Sequence, residues 1–274
     1  MPSIETSAGV NIYCEEAGEG RPLVMLHGWA GSGRLWRFQQ ELADSFRLVI
    51  PDLRGHGRSN TPTERFILED LASDIVTLFE RLELNDAIFL GWSLGSQVAL
   101  AAFPRLRERL AGLVLVGATA RFTSTDGYPH GLQATEPRGM GLRLRRDFTG
   151  TMGEFFRSMF AQGELTPEQE ERIGREILAE GRLPAPTAAH AALAILASTD
   201  LREKLPEIDR PVLIIHGSAD AVCPPGAARY LAERLPDARL VEFAGVGHAP
   251  SLSRPDQFNA VLREFLRKEA HDRH

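Results

Sequence analysis

Ala87-Ile88-Phe89-Leu90-Gly91-Trp92-Ser93-Leu94-Gly95-Ser96-Gln97 is the stretch on which the fold turns. Residues 87–90 are a short apolar run, as expected of a strand buried on both faces. Gly91-Trp92-Ser93-Leu94-Gly95 follows, a Gly-x-Ser-x-Gly turn. From residue 96 to 103 the chain is small and apolar, suited to a helix packed tightly on a sheet. A strand that turns into a helix within five residues forces Ser93 into strained backbone geometry. Gly91 and Gly95 leave the room that side chains would fill. The outcome is a hydroxyl presented at the carboxyl end of a sheet, where helix N-termini favour developing negative charge. Ser93 is therefore the expected nucleophile of a serine hydrolase.

Working outward, similar runs occur at 22–26, 47–50, 113–116 and 211–215, with a more mixed one at 239–243. Residues 4–6 and 10–14 flank Ser7-Ala8-Gly9 and predict a hairpin. Between the runs lie helical patterns. Leu68, Leu71, Ile75, Leu78, Phe79 and Leu82 mark one face at spacings of three and four. Residues 226–235 and 255–267 predict later helices. Alternating strands and helices imply right-handed crossovers and a mostly parallel sheet, an α/β fold. The alternation fails between about 119 and 192. That segment holds Gly and Pro punctuation and short amphipathic pieces, such as 152–160 and 167–178. It predicts a helical cap inserted into a single domain spanning 1–274.

The composition bounds the function. The chain has 274 residues, 43% hydrophobic and 25% charged, ordinary for a globular protein. A net charge of −6 argues against a general nucleic-acid binder. No apolar run approaches the roughly 20 residues that span a bilayer. The opening Met1-Pro2-Ser3-Ile4-Glu5 lacks a basic and an apolar region, so no signal peptide is expected. Cys14 and Cys223, far apart in sequence, are expected to be reduced. A cytoplasmic protein, with monomer the favoured state, is the resulting expectation.

A serine hydroxyl needs a base. Among eight histidines, His248 is the best placed, in Gly245-Val246-Gly247-His248-Ala249-Pro250 after the last strand. His271 and His274 lie in the tail. His216 follows a strand directly and reads as structural, and His130 and His190 belong to the cap. The base needs an acid to hold its tautomer. Asp220, in His216-Gly217-Ser218-Ala219-Asp220, ends a strand and precedes His248 by 28 residues. Asp52 also ends a strand and stands as the weaker alternative. The oxyanion needs two donors. The backbone N–H groups of Leu94 and of Trp29, in His27-Gly28-Trp29, are the expected pair, with His27 bracing that loop. No metal or cofactor is required.

The motifs His27-Gly28-Trp29, Asp52-Leu53-Arg54-Gly55-His56-Gly57-Arg58-Ser59, Gly91-Trp92-Ser93-Leu94-Gly95, Asp220 and Gly247-His248 together make the chain resemble an α/β-hydrolase over its whole length. The Gly-His-Gly-Arg-Ser stretch is a structural turn in such proteins. A serine nucleophile rather than aspartate argues against a haloalkane dehalogenase. Trp29, Trp92, Thr199-Asp200-Leu201-Arg202 and His248-Ala249-Pro250 are further similar to the BioH family, the pimeloyl-[acyl-carrier protein] methyl ester esterases of biotin synthesis. That resemblance implies an ester substrate borne by an acyl carrier protein. It implies that Trp29 and Leu94 form the oxyanion hole, and that Trp29 and Trp92 line the substrate site. Trp92 reads also as plain packing. Ser96 and Ser251 depart from the family pattern, which commonly has glycine and an aromatic there.

Arg138, Arg143, Arg145 and Arg146 lie in an acid-free stretch of the cap, with Arg157, Arg172 and Arg175 as extensions. The resemblance implies a docking surface for an acidic carrier protein; a solvated helix face is the alternative. Other readings of the activity remain: a broad carboxylesterase or perhydrolase, a C–C hydrolase or lyase of menaquinone-pathway type, and a small-ligand receptor with slow turnover.

Overall fold

The computed structural model describes residues 3–6, 9–62, 65–179 and 182–271, with side chains through Arg267. Ser7 and Ala8 of the expected hairpin turn, the side chain of His271, and His274 lie outside the described residues.

Among the described residues, eight strands form one sheet: β1 Ser3–Glu5, β2 Asn11–Ala17, β3 Pro22–Leu26, β4 Arg47–Pro51, β5 Ala87–Trp92, β6 Leu110–Val116, β7 Val212–Gly217 and β8 Ala238–Phe243. Their order is β1-β2-β4-β3-β5-β6-β7-β8. The β1–β2 and β2–β4 pairs are antiparallel and the other pairs are parallel. The central strands are buried along their length because helices cover both faces of such a sheet. Every apolar run picked out in the sequence falls on a strand.

The helices are α1 Leu68–Arg81, α2 Leu94–Leu106, α3 Thr135–Arg146, α4 Phe148–Ser158, α5 Pro167–Ile173, α6 Pro186–Ser198, α7 Pro225–Arg234, α8 Pro250–Ser253 and α9 Pro255–His271. Their starts follow local chemistry. Asp70 accepts the Ile67 N–H at 2.8 Å at the head of α1, whose first turn is acidic and last turn basic. Thr166 and Gln169 cap α5 reciprocally, with Pro167 in its first turn. Helices α1 and α2 pack together, and α2 lies on β5 and β6. A 3₁₀ segment, Gly33–Asp44, buries Leu35, Trp36, Phe38 and Leu42 against the core, an element the sequence reading did not single out.

Helices α3 to α6 lie between β6 and β7. The helical run continues to Ser198, past the boundary at 192 read from the sequence. Ala188, Ala189, Ala192 and Leu193 of α6 are buried, so this alanine-rich helix is one packed unit across residue 192.

Candidate active site

Parallel strands bring their carboxyl ends to one rim of the sheet, where Ser93 follows β5, Asp220 follows β7 and His248 follows β8. Leu26 of β3 pairs with Gly91 of β5, and Trp92 pairs with Val116 of β6. Ser93 sits between β5 and α2 with φ 55° and ψ −115°, a region L-residues rarely occupy. Its N–H donates to Val116 O at 2.8 Å. A Cβ on Gly91 would lie 2.3 Å from Gly95 O, and one on Gly95 would lie 2.5 Å from Leu26 O. Both glycines are thus required by close backbone approach. Ser96, the departure from the family pattern, donates its hydroxyl to Ser93 O at 2.5 Å and fastens the turn.

The loop after β3 leans on this turn. A Cβ on Gly28 would come within 3.0 Å of Ser93 Cβ. Leu94 is the first residue of α2, so its N–H has no acceptor within the helix. His27 braces the loop as expected: Nδ1 donates to Gly28 O at 2.8 Å and Nε2 accepts the Leu53 N–H at 3.0 Å. Burial holds the His27 imidazole down at about 4, so it stays neutral and keeps both bonds.

His248 Nδ1 lies 2.7 Å from Asp220 Oδ2. Asp220 Oδ1 accepts the Val222 and Cys223 N–H groups, each at 2.8 Å. Burial pushes the Asp220 carboxyl upward, but His248, His216 and the Cys223 amide outweigh it and hold the group below the usual carboxylate range. The His248 ring packs on Gly117, where an added Cβ would meet it at 2.8 Å. His248 Nε2 is buried and has no hydrogen-bond partner among the described residues.

Beside Ser93 lies a cavity of about 340 Å³. Trp29, Ala221 and Val222 line it from the core, and Met140, Arg143, Phe155 and Leu193 from the cap. Trp29 is fixed there by its indole N–H to Ala189 O at 2.9 Å and by an edge contact with Phe155.

The sequence left Trp92 between lining this site and plain packing, and its position favours packing. It is 1% exposed and is not among the residues lining the cavity. Its indole donates to His248 O at 2.9 Å and meets Trp36 edge to face. The strand register at the end of β5 turns the ring inward, under the His248 loop, where it holds that loop's carbonyl.

Asp52 does not join the site. Its carboxylate accepts the Gly33 and Arg58 N–H groups at 2.6 and 2.7 Å, so it and the Gly-His-Gly-Arg-Ser turn brace the core. His216 was read as structural, yet its Nε2, donating to Cys223 O at 2.8 Å, also lies 3.3 Å from Asp220 Oδ2. The signal was its place in the same strand-end turn as Asp220. Asp200 binds Arg121 and Arg202 and ties the start of the cap to its end.

Arg138, Arg143, Arg145 and Arg146 are exposed on α3, and none of them forms an ion pair among the described residues. Arg172 and Arg175 instead pair with Glu176 and Glu171 on their own helical segment. Cys14 and Cys223 are both free and buried. No helix among the described residues is long and apolar enough to cross a membrane, and no group of three potential metal ligands occurs among them.

Comparison with known proteins fits this geometry. The sequence profile described as the alpha/beta hydrolase fold matches residues 21–255. A pimeloyl-[acyl-carrier protein] methyl ester esterase of Nitrosomonas europaea is 37% identical over 249 residues, 90% of this chain and 96% of that protein. Its namesake from Nitrosospira multiformis is 34% identical over 265 residues, 94% of this chain and 99% of that protein. Among solved structures, an esterase from Exiguobacterium antarcticum superposes with a TM-score of 0.91 at 29% identity, covering 97% of this chain and 98% of that one.

Proposed function

Because the chain belongs to the α/β hydrolase fold family, we propose that it is a carboxylester hydrolase in which Ser93, His248 and Asp220 are nucleophile, base and orienting acid. The observation that carries this is the buried His248: one ring nitrogen is bound to Asp220 at 2.7 Å, and the other has no hydrogen-bond partner among the described residues. Asp220 fixes the tautomer with the proton on Nδ1, so Nε2 is the free acceptor. Ser93 Oγ passes its proton to Nε2 and attacks the ester carbonyl carbon. The Leu94 and Trp29 N–H groups stabilise the oxyanion. Collapse of the tetrahedral adduct breaks the ester C–O bond, and the alcohol leaves with the proton from Nε2. A water then gives its proton to Nε2 and attacks the acyl-enzyme, releasing the acid and restoring Ser93. The sequence needs no metal and no cofactor.

The substrate reading is a pimeloyl-[acyl-carrier protein] methyl ester, demethylated during biotin synthesis. The names of the two curated relatives support it. So does the basic face of α3, exposed and without ion pairs among the described residues, which suits an acidic carrier protein. The esterase with the similar structure favours a second reading, a broad carboxylesterase acting on free esters.

The experiment compares kcat/KM on the carrier-bound methyl ester with that on p-nitrophenyl butyrate. The variant is Arg138→Glu with Arg145→Glu and Arg146→Glu. Arg143 is left intact because it lines the cavity. The carrier-bound reading expects a fall of about tenfold or more on the carrier-bound ester alone, shrinking as salt rises. Equal rates on both esters before and after the change would favour the broad esterase.

A further inference from the structure

The cap does more than cover the cavity. Its turn between α4 and α5 meets the loop that carries His248. The His248 N–H donates to Met159 O at 2.6 Å. The neighbouring Gly247 N–H donates to Glu164 Oε2 at 2.8 Å. That oxygen also accepts the Ala161 N–H at 2.6 Å. A Cβ on Gly247 would lie 2.4 Å from Met159 O and 2.9 Å from Ala161 N, so the two backbones touch. From the far side, Arg254 donates both terminal nitrogens to Glu164 O at 3.2 and 3.3 Å.

The core grips other atoms of the same loop. Ser218 Oγ accepts the Gly245 N–H, Val246 O accepts the Ala219 N–H, and Trp92 holds His248 O. Among the described residues, the amides of Gly247 and His248 find their acceptors in the cap. Glu164 is 6% exposed, and its Oε1 is buried with no partner among the described residues. An acid that merely closed its own turn would account for the bond to Ala161 and leave the bond to Gly247 unexplained. Burying a carboxylate is costly unless its bonds are good ones.

We infer that Glu164 is a positioning residue for His248, through which the cap sets the placement of the catalytic imidazole. This rests on the Ser93–His248–Asp220 reading. A displacement of the 159–164 turn pulls the His248 main chain with it. Contacts made on α3 or α4 by a substrate or carrier protein therefore act on turnover as well as on binding.

The test uses the full chain with Glu164→Ala, Glu164→Asp and Glu164→Gln. Three quantities are read: kcat and KM on p-nitrophenyl butyrate, the rate at which a fluorophosphonate labels Ser93, and amide hydrogen exchange at 245–249. Glutamine keeps the length and one acceptor oxygen, whereas aspartate keeps the carboxyl group but retracts the acceptor. A misplaced catalytic group costs on the order of a hundredfold. The expected result is a kcat lower by about 10- to 100-fold in Glu164→Ala and Glu164→Asp, with KM changed less than about threefold. Labelling should slow by the same factor, exchange at 247 and 248 should quicken, and Glu164→Gln should recover most of the loss. If Glu164→Ala does not fold, Glu164→Asp carries the test. Wild-type kcat and labelling in Glu164→Asp would overturn the inference, as would a Glu164→Gln variant no better than Glu164→Asp. Failure of the triad reading would show differently, as no labelling of Ser93 in the unmutated protein.

Discussion

Ser93→Gly should make the protein more stable while destroying its activity, and Ser93→Ala is the control that isolates why. At φ 55° and ψ −115° a side chain is strained, at a cost of about 1–3 kcal/mol. Glycine relieves that strain. It also gives the unfolded chain more freedom, which offsets about 0.5–1 kcal/mol. Alanine removes the hydroxyl but keeps the strained Cβ. The net expectation is that Ser93→Gly exceeds Ser93→Ala by up to about 2.5 kcal/mol, a few degrees in Tm for a chain of this size. At an ordinary position the sign is the opposite, because glycine normally loses to alanine. Urea unfolding at neutral pH measures the difference, with both variants compared at equal m-value. A glycine variant less stable than the alanine one by about 0.5–1 kcal/mol would refute the claim that the turn stores strain.

Three further outcomes follow from the geometry. Asp220→Asn leaves a hydrogen bond but favours the wrong His248 tautomer, and kcat should drop about 10³–10⁴-fold with KM little changed; a drop under tenfold contradicts the role. Trp92→Phe removes the donor to His248 O, so it should cost roughly 1–3 kcal/mol of stability and several-fold in kcat; a changed acyl-chain preference with unchanged kcat would instead return Trp92 to the substrate site. Burial holds folded His27 at about 4 and His56 at about 3, against 6.5 for the free side chain. The unfolded chain then binds more protons below pH 6.5, so stability should fall as pH drops from 6.5 toward 5. The slope is up to about 1.4 kcal/mol per pH unit for each histidine, and His56→Gln should reduce it. Urea midpoints unchanged between pH 6.5 and 5 would count against two buried neutral imidazoles.

Much of this was legible in the sequence because it is local. Strands buried on both faces write themselves as continuous Val, Ile and Leu, and the runs around Val24, Phe89 and Ile214 fall on strands. The Ser93 turn declares itself through Gly91 and Gly95, whose side chains would collide with backbone. Asp220 and His248 were readable as strand-end residues at one rim, and they lie within hydrogen-bond distance. What was not legible depends on direction or on distant contact. Trp92 ends a strand next to Ser93, and sequence spacing cannot say which way an indole turns at a strained corner. His216 shares a turn with Asp220, but only the folded turn brings its Nε2 to the carboxylate. Glu164, in the polar stretch Gln162-Gly163-Glu164, looks like a solvated surface acid, and its partner Gly247 is 83 residues away. The 3₁₀ segment at Gly33–Asp44 is amphipathic but lies between two clear strands, and it packs on β4, α8 and α9.

The central claim is that Ser93 carries the acyl group. Incubation with p-nitrophenyl butyrate followed by acid quenching and peptide mass mapping tests it directly. The account predicts a butyryl adduct on Ser93, formed at the rate of the initial p-nitrophenol burst. Ser93→Ala should show neither adduct nor burst. A stable adduct on another residue, or full turnover by Ser93→Ala, would contradict it.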